Sequence, residues 1–263
     1  MPELPEVETI VRGLAAKVVG ATIDRVDVRL PRVVVAPDGV RFGKALCGER
    51  IVAARRRGKY AVLQLASGPA LVTSLRMTGR LVVAQPAAAE LPATHVVLSL
   101  RGRGVLRFSD VRTFGRMRLV AAREAWDRDL GVEPLSSDFT QEAFIGMLSG
   151  RTTPVKALLL DQRRIAGIGN IYACEALWEA RIRPSRPAGS LTKPATHRLR
   201  RAIVDVLQRA IEMRGTSVDD YVDADGLQGG FQNDLSVYGR GGRPCRRCGG
   251  SILRTVLGQR GTW

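Results

Sequence analysis

Histidine is almost missing: 263 residues hold two, His95 and His197, isolated from each other in sequence. No imidazole cluster is available, and neither histidine is read as catalytic. Cysteine is scarce as well, at four residues. The first residues are acidic, and no apolar stretch of the kind found in secretory leaders follows them, so no signal peptide is expected. No uninterrupted apolar run is long enough to cross a bilayer. A cytoplasmic location is therefore expected. There thiols stay reduced, and the four cysteines are not read as disulfides. Cys47 and Cys174 lie in apolar surroundings and are read as small core residues. No internal repeat is visible.

Acidic residues are also in deficit. Lys plus Arg number 41 against 25 Asp plus Glu, a net charge of +16. Residues 1–150 carry 22 basic and 15 acidic side chains, and residues 151–263 carry 19 and 10, so the excess is spread over both halves and is not confined to a tail. This suits a surface that grips a polyanion, because each neutralised phosphate releases condensed counterions. Solubility alone would also use such a charge.

The length allows one large domain or two of ordinary size, and a hydrophobic share of 45% is that of a globular protein. Leu4, Val7, Val11, Leu14 and Val18 recur at helical spacing, and Gly20 ends the run. From Thr22 to about Leu119 short β-rich runs take over, among them Ile23–Leu30, Tyr60–Leu65, Leu71–Leu75, His95–Leu100 and Val105–Phe108, punctuated by Gly and Pro. That texture predicts a β-sandwich or barrel. The Ala-rich Pro86–Pro92 reads as a surface loop. Helices are expected at Phe139–Leu148, Pro154–Leu160, Ile171–Ala180 and Pro194–Met213, a flexible loop at Ser217–Gly230, and a small hairpin module from Pro244 to Trp263. The fold class is thus α+β. A β-sandwich over 1–120 bears the N-terminal helix, 121–136 links the domains, 137–240 is helical with a loop near 215–230, and 241–263 is a hairpin.

Three segments carry chemistry. The first is Met1-Pro2-Glu3-Leu4-Pro5-Glu6. Aminopeptidase removes Met before a small residue such as Pro, which would leave Pro2 with a free secondary amine. An α-amine titrates near about 8 and a lysine near about 10.4, so more of the former is neutral and nucleophilic at physiological pH. Its attack on an aldehyde-level carbon gives an iminium ion, an electron sink. Glu3 and Glu6 lie on one flank of the helix, and a carboxyl whose pKa is raised by burial can protonate a sugar oxygen. The same residues also make ordinary helix-start chemistry. The second segment, Ile165-Ala166-Gly167-Ile168-Gly169-Asn170-Ile171-Tyr172, places two glycines in a turn that opens a helix, a ready anion site; as a turn alone it is commonplace. The third, Pro244-Cys245-Arg246-Arg247-Cys248-Gly249, lacks a βαβ context and reads as half of a zinc site on a turn.

In this order the three segments resemble the formamidopyrimidine-DNA glycosylases. The opening Met-Pro-Glu-Leu-Pro-Glu-Val-Glu-Thr is similar to that family's almost letter for letter. Asp161-Gln162 leading into Gly167-Ile168-Gly169-Asn170-Ile171-Tyr172-Ala173 resembles its helix–two-turns–helix. Gly215-Thr216-Ser217 and Gln232-Asn233-Asp234-Leu235-Ser236-Val237-Tyr238-Gly239-Arg240 resemble its lesion loop and finger approach, and Gln259-Arg260 its finger tip. The resemblance implies a bifunctional glycosylase and abasic-site lyase acting on oxidised purines in double-stranded DNA, as a monomer. Pro2 would be the nucleophile and Glu3 the acid, with Glu6 and Lys59 completing the catalytic set. Lys59, Asn170 and Arg260 would hold phosphates. Met77, Arg112 and Phe114 would fill the gap left by an extruded nucleotide, although the bland reading of Met77 and Phe114 is β-domain core. Thr216 and Ser217 would line the lesion pocket. Cys245 and Cys248 would bind one structural zinc, with a second Cys pair expected just past Trp263; without that pair the hairpin carrying Arg260 would rest on packing alone.

Four positions depart from the family pattern: Ser74 stands where His is usual, Arg76 for Gly, Val111 for Pro and Thr113 for Arg. All flank the wedge, which bears on opposite-base choice and lesion preference. Two alternatives remain. An endonuclease VIII-like enzyme would act on oxidised pyrimidines, and Leu4 favours the purine branch. A catalytically silent damaged-DNA-binding protein would have no need of an N-terminal amine.

Overall fold

A computed structural model describes residues 2–122, 125–218 and 221–263. The chain forms two compact units, Met1–Arg128 with Met213–Gly230, and Asp129–Glu212 with Phe231–Trp263. Among the described residues no helix is long and apolar enough to cross a membrane.

In the first unit, helix α1 (Leu4–Val18) is followed by β1 (Ile23–Val28), β2 (Val34–Val35), a short α2 (Phe42–Leu46), β3 (Ile51–Arg57), β4 (Tyr60–Leu65), β5 (Ala70–Ser74), β6 (Gly79–Ala84), β7 (Thr94–Leu100), β8 (Gly104–Asp110) and β9 (Arg116–Val120). Two sheets result, ordered β1-β7-β8-β6 and β2-β9-β5-β4-β3. All their pairings are antiparallel except β2 with β9. One apolar cluster joins Ile23, Leu81, Leu98 and Phe108 of the first sheet to Ile51, Leu63, Leu71 and Leu119 of the second and to Val7, Ile10, Leu14 and Val18 of α1. This is the expected β-sandwich with a helix on its core: alternate strand residues face inward, and α1 closes the cluster with one stripe.

Strand β3 reads poorly in sequence because it ends in three arginines. Arg56 lies on the α1 side and bonds Glu8 at 2.9 Å, while Arg55 and Arg57 take the opposite face, where Arg57 meets Asp127 at 2.9 Å. On that face Trp126 and Tyr60 pack beside Val62, Val72 and Val120. The stretch expected to be a linker, 121–136, is therefore divided. Trp126 and Asp127 lie on that outer sheet face, residues 123 and 124 lie outside the described residues, and Gly131 and Val132 bond the backbone of Gln162 and Arg164 in the second unit. Cys47, expected in the core, is exposed. It caps the C-terminus of α2, where only Phe42 and Leu46 turn inward. Cys174 is buried. The exposed 86–89 loop is held by Arg107, whose guanidinium donates to the carbonyls of Pro86, Ala88 and Ala89 at 2.9–3.2 Å.

The second unit contains α3 (Gln141–Leu148), α4 (Val155–Leu160), α5 (Asn170–Glu179), α6 (Lys193–Glu212) and a terminal hairpin of β10 (Thr255–Leu257) and β11 (Arg260–Thr262). Helix α6 buries Leu199, Ala202, Ile203, Val206, Leu207, Ala210 and Ile211 and exposes Arg198, Arg201, Asp205 and Arg209, a one-sided stripe that packs on α3 and α5. Each helix lies within a few residues of its expected span. The segment 213–230, expected within the helical domain, groups instead with the N-terminal unit. The reason is a set of polar ties to α1, described next.

Candidate active site and nucleic-acid interface

At the start of α1, Glu3 is the N-cap and forms a reciprocal capping box with Glu6. The Glu3 amide donates to Glu6 Oε2 at 2.7 Å. The second Glu6 oxygen, Oε1, accepts the Thr216 amide at 2.7 Å. Pro2, Glu3 and Glu6 are all buried, so the polar atoms at this helix start are enclosed and must be satisfied internally. The structure thus brings Pro2, Glu3, Glu6 and Thr216 together, with Ser217 adjacent. Ser217 Oγ donates to the Tyr221 carbonyl at 3.0 Å and accepts the Gly229 amide at 2.9 Å. Gly215 has φ +82°, and a Cβ there would fall 2.8 Å from Glu6 Oε1; the close approach of loop to carboxylate requires glycine. Met1 lies outside the described residues.

Three residues that sequence reasoning passed over hold this loop. The Tyr221 hydroxyl donates to the Arg214 carbonyl at 3.1 Å, and burial, with the Glu6 carboxylate next in weight, pushes its pKa up. Asp223 accepts the Asp225 and Leu227 amides at 2.8 and 3.0 Å and pairs with Arg214. An aromatic residue followed by acids in a Gly-rich loop was the available signal.

Lys59 is half-buried in the turn between β3 and β4. Elsewhere in the same unit, Met77 is half-buried while Arg112 and Phe114 are exposed. Phe114 is 51% and Val111 69% exposed, which removes the core reading for Phe114. The Arg112 guanidinium lies 4.8 Å from the Phe114 ring centre, within cation–π range.

In the second unit Asn170 opens α5 behind a turn stapled by Gln162, which accepts the Gly167 amide at 2.9 Å and donates to the Ile168 carbonyl at 2.7 Å. Asn170 Nδ2 donates to the Gly261 carbonyl at 3.1 Å, and its buried Oδ1 has no hydrogen-bond partner among the described residues. Arg260 is exposed on β11 of the hairpin. The structure therefore joins Asn170 to the strand of Arg260. The expectation that packing alone supports this hairpin is corrected by Lys156, a fully buried lysine that sequence reasoning missed. Its ammonium donates to the Gly261 carbonyl at 2.8 Å and to Thr262 Oγ1 at 2.6 Å. A lysine inside the apolar run Val155–Leu160 was the only sign. Trp263 packs on Tyr238, with ring centres 4.5 Å apart. Buried Glu175 accepts the Ser236, Val237 and Tyr238 amides at 2.8–2.9 Å, which fixes the chain approaching the terminal hairpin.

The Cys245 thiol is held down to about 6 by the Trp178 indole N–H, followed by the Arg247 and Cys248 amides. A thiolate is the form that ligates zinc. Among the described residues, however, no group of three or more His, Cys, Asp or Glu could hold a metal ion. Cys245 and Cys248 supply two donors of the four a tetrahedral zinc requires, so the residues present do not complete the site.

Models of two domain families match the chain: the formamidopyrimidine-DNA glycosylase N-terminal domain over residues 1–117 and the formamidopyrimidine-DNA glycosylase H2TH domain over 130–222. A formamidopyrimidine-DNA glycosylase of Heliobacterium modesticaldum is 49% identical over 269 residues, spanning 100% of this chain and 97% of that protein. The crystal structure of the MutM (Fpg) protein from Thermus thermophilus is similar at 43% identity and a TM-score of 0.89, covering 99% of this chain and 96% of that one. Wild-type Lactococcus lactis Fpg, solved with an N7-benzyl-Fapy-dG-containing DNA, is similar at 35% identity and a TM-score of 0.92, covering 99% and 97%. With both domain models matched and near-half identity over its whole length, the chain belongs to the formamidopyrimidine-DNA glycosylase family.

Proposed function

We propose that the protein is a DNA glycosylase and abasic-site lyase that removes oxidised purines, 8-oxoguanine and formamidopyrimidines, from double-stranded DNA. The observation that carries this reading is the buried Pro2–Glu3–Glu6 group at the head of α1, in a chain of this family. Family relatives are named for formamidopyrimidine-DNA glycosylase activity, and a related enzyme is solved with N7-benzyl-Fapy-dG-containing DNA.

The chemistry follows from the groups in place. Once Met1 is removed, the Pro2 nitrogen attacks C1′ of an extruded nucleotide. The bond from C1′ to the base breaks, and the base leaves with its electron pair and takes up a proton. Glu3 gives a proton to the sugar ring oxygen and opens the ring, leaving an iminium between Pro2 and C1′. That cation withdraws electrons, so loss of the C2′ proton expels the 3′ phosphate, and a second elimination expels the 5′ phosphate. Glu6 keeps the helix start and the Thr216 loop in register. Lys59, Asn170 and Arg260 neutralise backbone phosphates, and Met77, Arg112 and Phe114 occupy the vacated stack. Cys245 and Cys248 are read as half of a structural zinc site in the finger, and no step depends on it. A nucleoid-associated, cytoplasmic monomer fits this role.

Borohydride trapping on an 8-oxoguanine duplex tests the assignment. A chain freed of Met1 should cross-link through Pro2, and a chain retaining Met1 should not. An adduct mapped to Lys59 would overturn the nucleophile. Incision of a matched thymine-glycol duplex in preference to 8-oxoguanine would overturn the substrate class.

A further inference from the structure

Two separate loops carry the wedge residues, Met77 between β5 and β6 and Arg112 with Phe114 between β8 and β9. Their coupling is not visible in sequence, yet it is specific. Asp110 is 1% exposed and ends β8 opposite Gly79. Its Oδ1 accepts the Thr78 hydroxyl from the first loop and the Arg112 amide at 3.2 Å. Its Oδ2 accepts the Gly115 amide at 2.7 Å. Thr78 Oγ1 in turn accepts the Arg112 amide at 3.1 Å. One buried carboxylate and one hydroxyl thus tie residue 78 to both ends of the 112–115 turn. The turn is tightly seated: a Cβ on Gly115 would lie 2.9 Å from the Ser74 carbonyl oxygen, so the second loop rests directly on the end of β5. Each loop also holds a non-glycine residue in the left-handed region, Arg76 at φ 54° and Thr113 at φ 54°. That conformation is unfavourable for a side-chain-bearing residue and persists only where surrounding contacts impose it.

We infer that Asp110 and Thr78 are positioning residues that lock the two loops into one wedge, so that Met77 and the Arg112–Phe114 pair enter the DNA stack as a single body and set discrimination of the opposite base. The inference rests on the reading of Met77, Arg112 and Phe114 as the wedge. Arg112 can select a base only if its backbone is fixed. Its amide is held by the two clamp residues, and its guanidinium by Phe114. A buried clamp of charge-assisted hydrogen bonds supplies that rigidity.

The test uses the full chain freed of Met1, with Thr78→Val, Thr78→Ser, Asp110→Asn, Met77→Ala, Phe114→Ala and the Thr78→Val/Phe114→Ala double variant. Single-turnover base release is measured from 8-oxoguanine opposite cytosine and opposite adenine, and strand cleavage from a preformed abasic site. A 2-aminopurine beside the lesion reports opening of the stack, and urea midpoints check folding. Thr78→Val should slow base release about ten-fold and cleavage at the abasic site no more than about two-fold, because an abasic nucleotide has no base to unstack. It should move the cytosine-to-adenine ratio toward one and blunt the 2-aminopurine rise. Thr78→Ser should restore both, and the double variant should lose no more than Phe114→Ala alone, the non-additivity expected of groups acting as a unit. Asp110→Asn, which turns an amide N–H toward a backbone N–H, should reproduce the loss. If Thr78→Val and Asp110→Asn match wild type while Met77→Ala is impaired, the coupling is wrong and the wedge reading stands. If Met77→Ala and Phe114→Ala also match wild type, the wedge reading itself falls, and the coupling with it.

Discussion

A single carboxylate, Glu6, meets two parts of the chain that are 210 residues apart: its own helix start and the Thr216 amide. Replacing Glu6 with Gln presents an NH2 to one of those donors and leaves a buried amide unpaired, a cost of roughly 1–3 kcal/mol that a urea midpoint would register, together with loss of base release. Glu3→Gln should behave differently. The amide keeps the shape but has no proton to give, so release of an intact lesion should fall while cleavage of a preformed abasic site survives better; equal losses on both substrates would remove Glu3 as the acid. Residues whose role is written in neighbouring letters were legible: Pro2, Glu3 and Glu6 gather at one helix start, and Asn170 follows its own glycines. Tyr221, Asp110 and Lys156 were not, because each reaches a partner in another segment: Tyr221 the Glu6 carbonyl, Asp110 the Thr78 hydroxyl and Lys156 the Gly261 carbonyl. An isolated Asp beside a turn and a Lys in an apolar run give no hint of which distant groups they will meet.

Among elements, the terminal hairpin shows how a weak unit is made firm. Two three-residue strands are marginal alone, yet β11 is bonded to buried Lys156 and to Asn170. Lys156→Met removes the donor to the Thr262 hydroxyl and one of two donors to the Gly261 carbonyl, the other being Asn170. It should lower stability by about 1–3 kcal/mol and expose the hairpin to limited proteolysis, with phosphate affinity falling alongside. Glu175 fixes the approach to that hairpin and adds a pH dependence. Burial is the main cause and raises its carboxyl above the ordinary 4.5, with the Tyr238, Val237 and Ser236 amides pulling the other way. The folded state therefore holds this proton more tightly than the unfolded chain. Its contribution to stability is complete below 4.5 and is lost as pH rises through the raised value. A Glu175→Gln variant should lack that downward slope in unfolding free energy measured against pH. Helices α3 to α6 were legible to within a few residues, and β4 as a short apolar run between Gly58 and Gly68. Strand β3 hid behind Arg55, Arg56 and Arg57, of which Arg56 pairs with Glu8, Arg57 with Asp127 and Arg55 hydrogen-bonds Gln64, and a two-residue β2 is too short for any periodicity to register.

At the level of the whole molecule, a net charge of +16 makes binding to DNA steeply salt-dependent. Arg260→Ala should weaken binding to damaged and undamaged duplex alike and lower the slope of log affinity against log salt by about one; an altered lesion preference with an unchanged slope would remove the phosphate role. The placement of Met213–Gly230 with the first unit was not legible, since a polar, Gly-rich stretch gives no apolar pattern pointing to its destination. That placement sets the point in synthesis at which the helix start can be completed. A ribosome emits α1 and the sandwich first, but the Thr216 amide that completes Glu6 emerges only after the helices of the second unit have been synthesised. The nascent sandwich thus waits for a late piece of chain before Glu6 is fully partnered, a long-range closure of the kind that slows folding. On the proposed assignment of Pro2 as nucleophile, an abandoned, half-translated product would carry that amine without the loop that orders Glu6, and so would be poorly equipped to cut DNA.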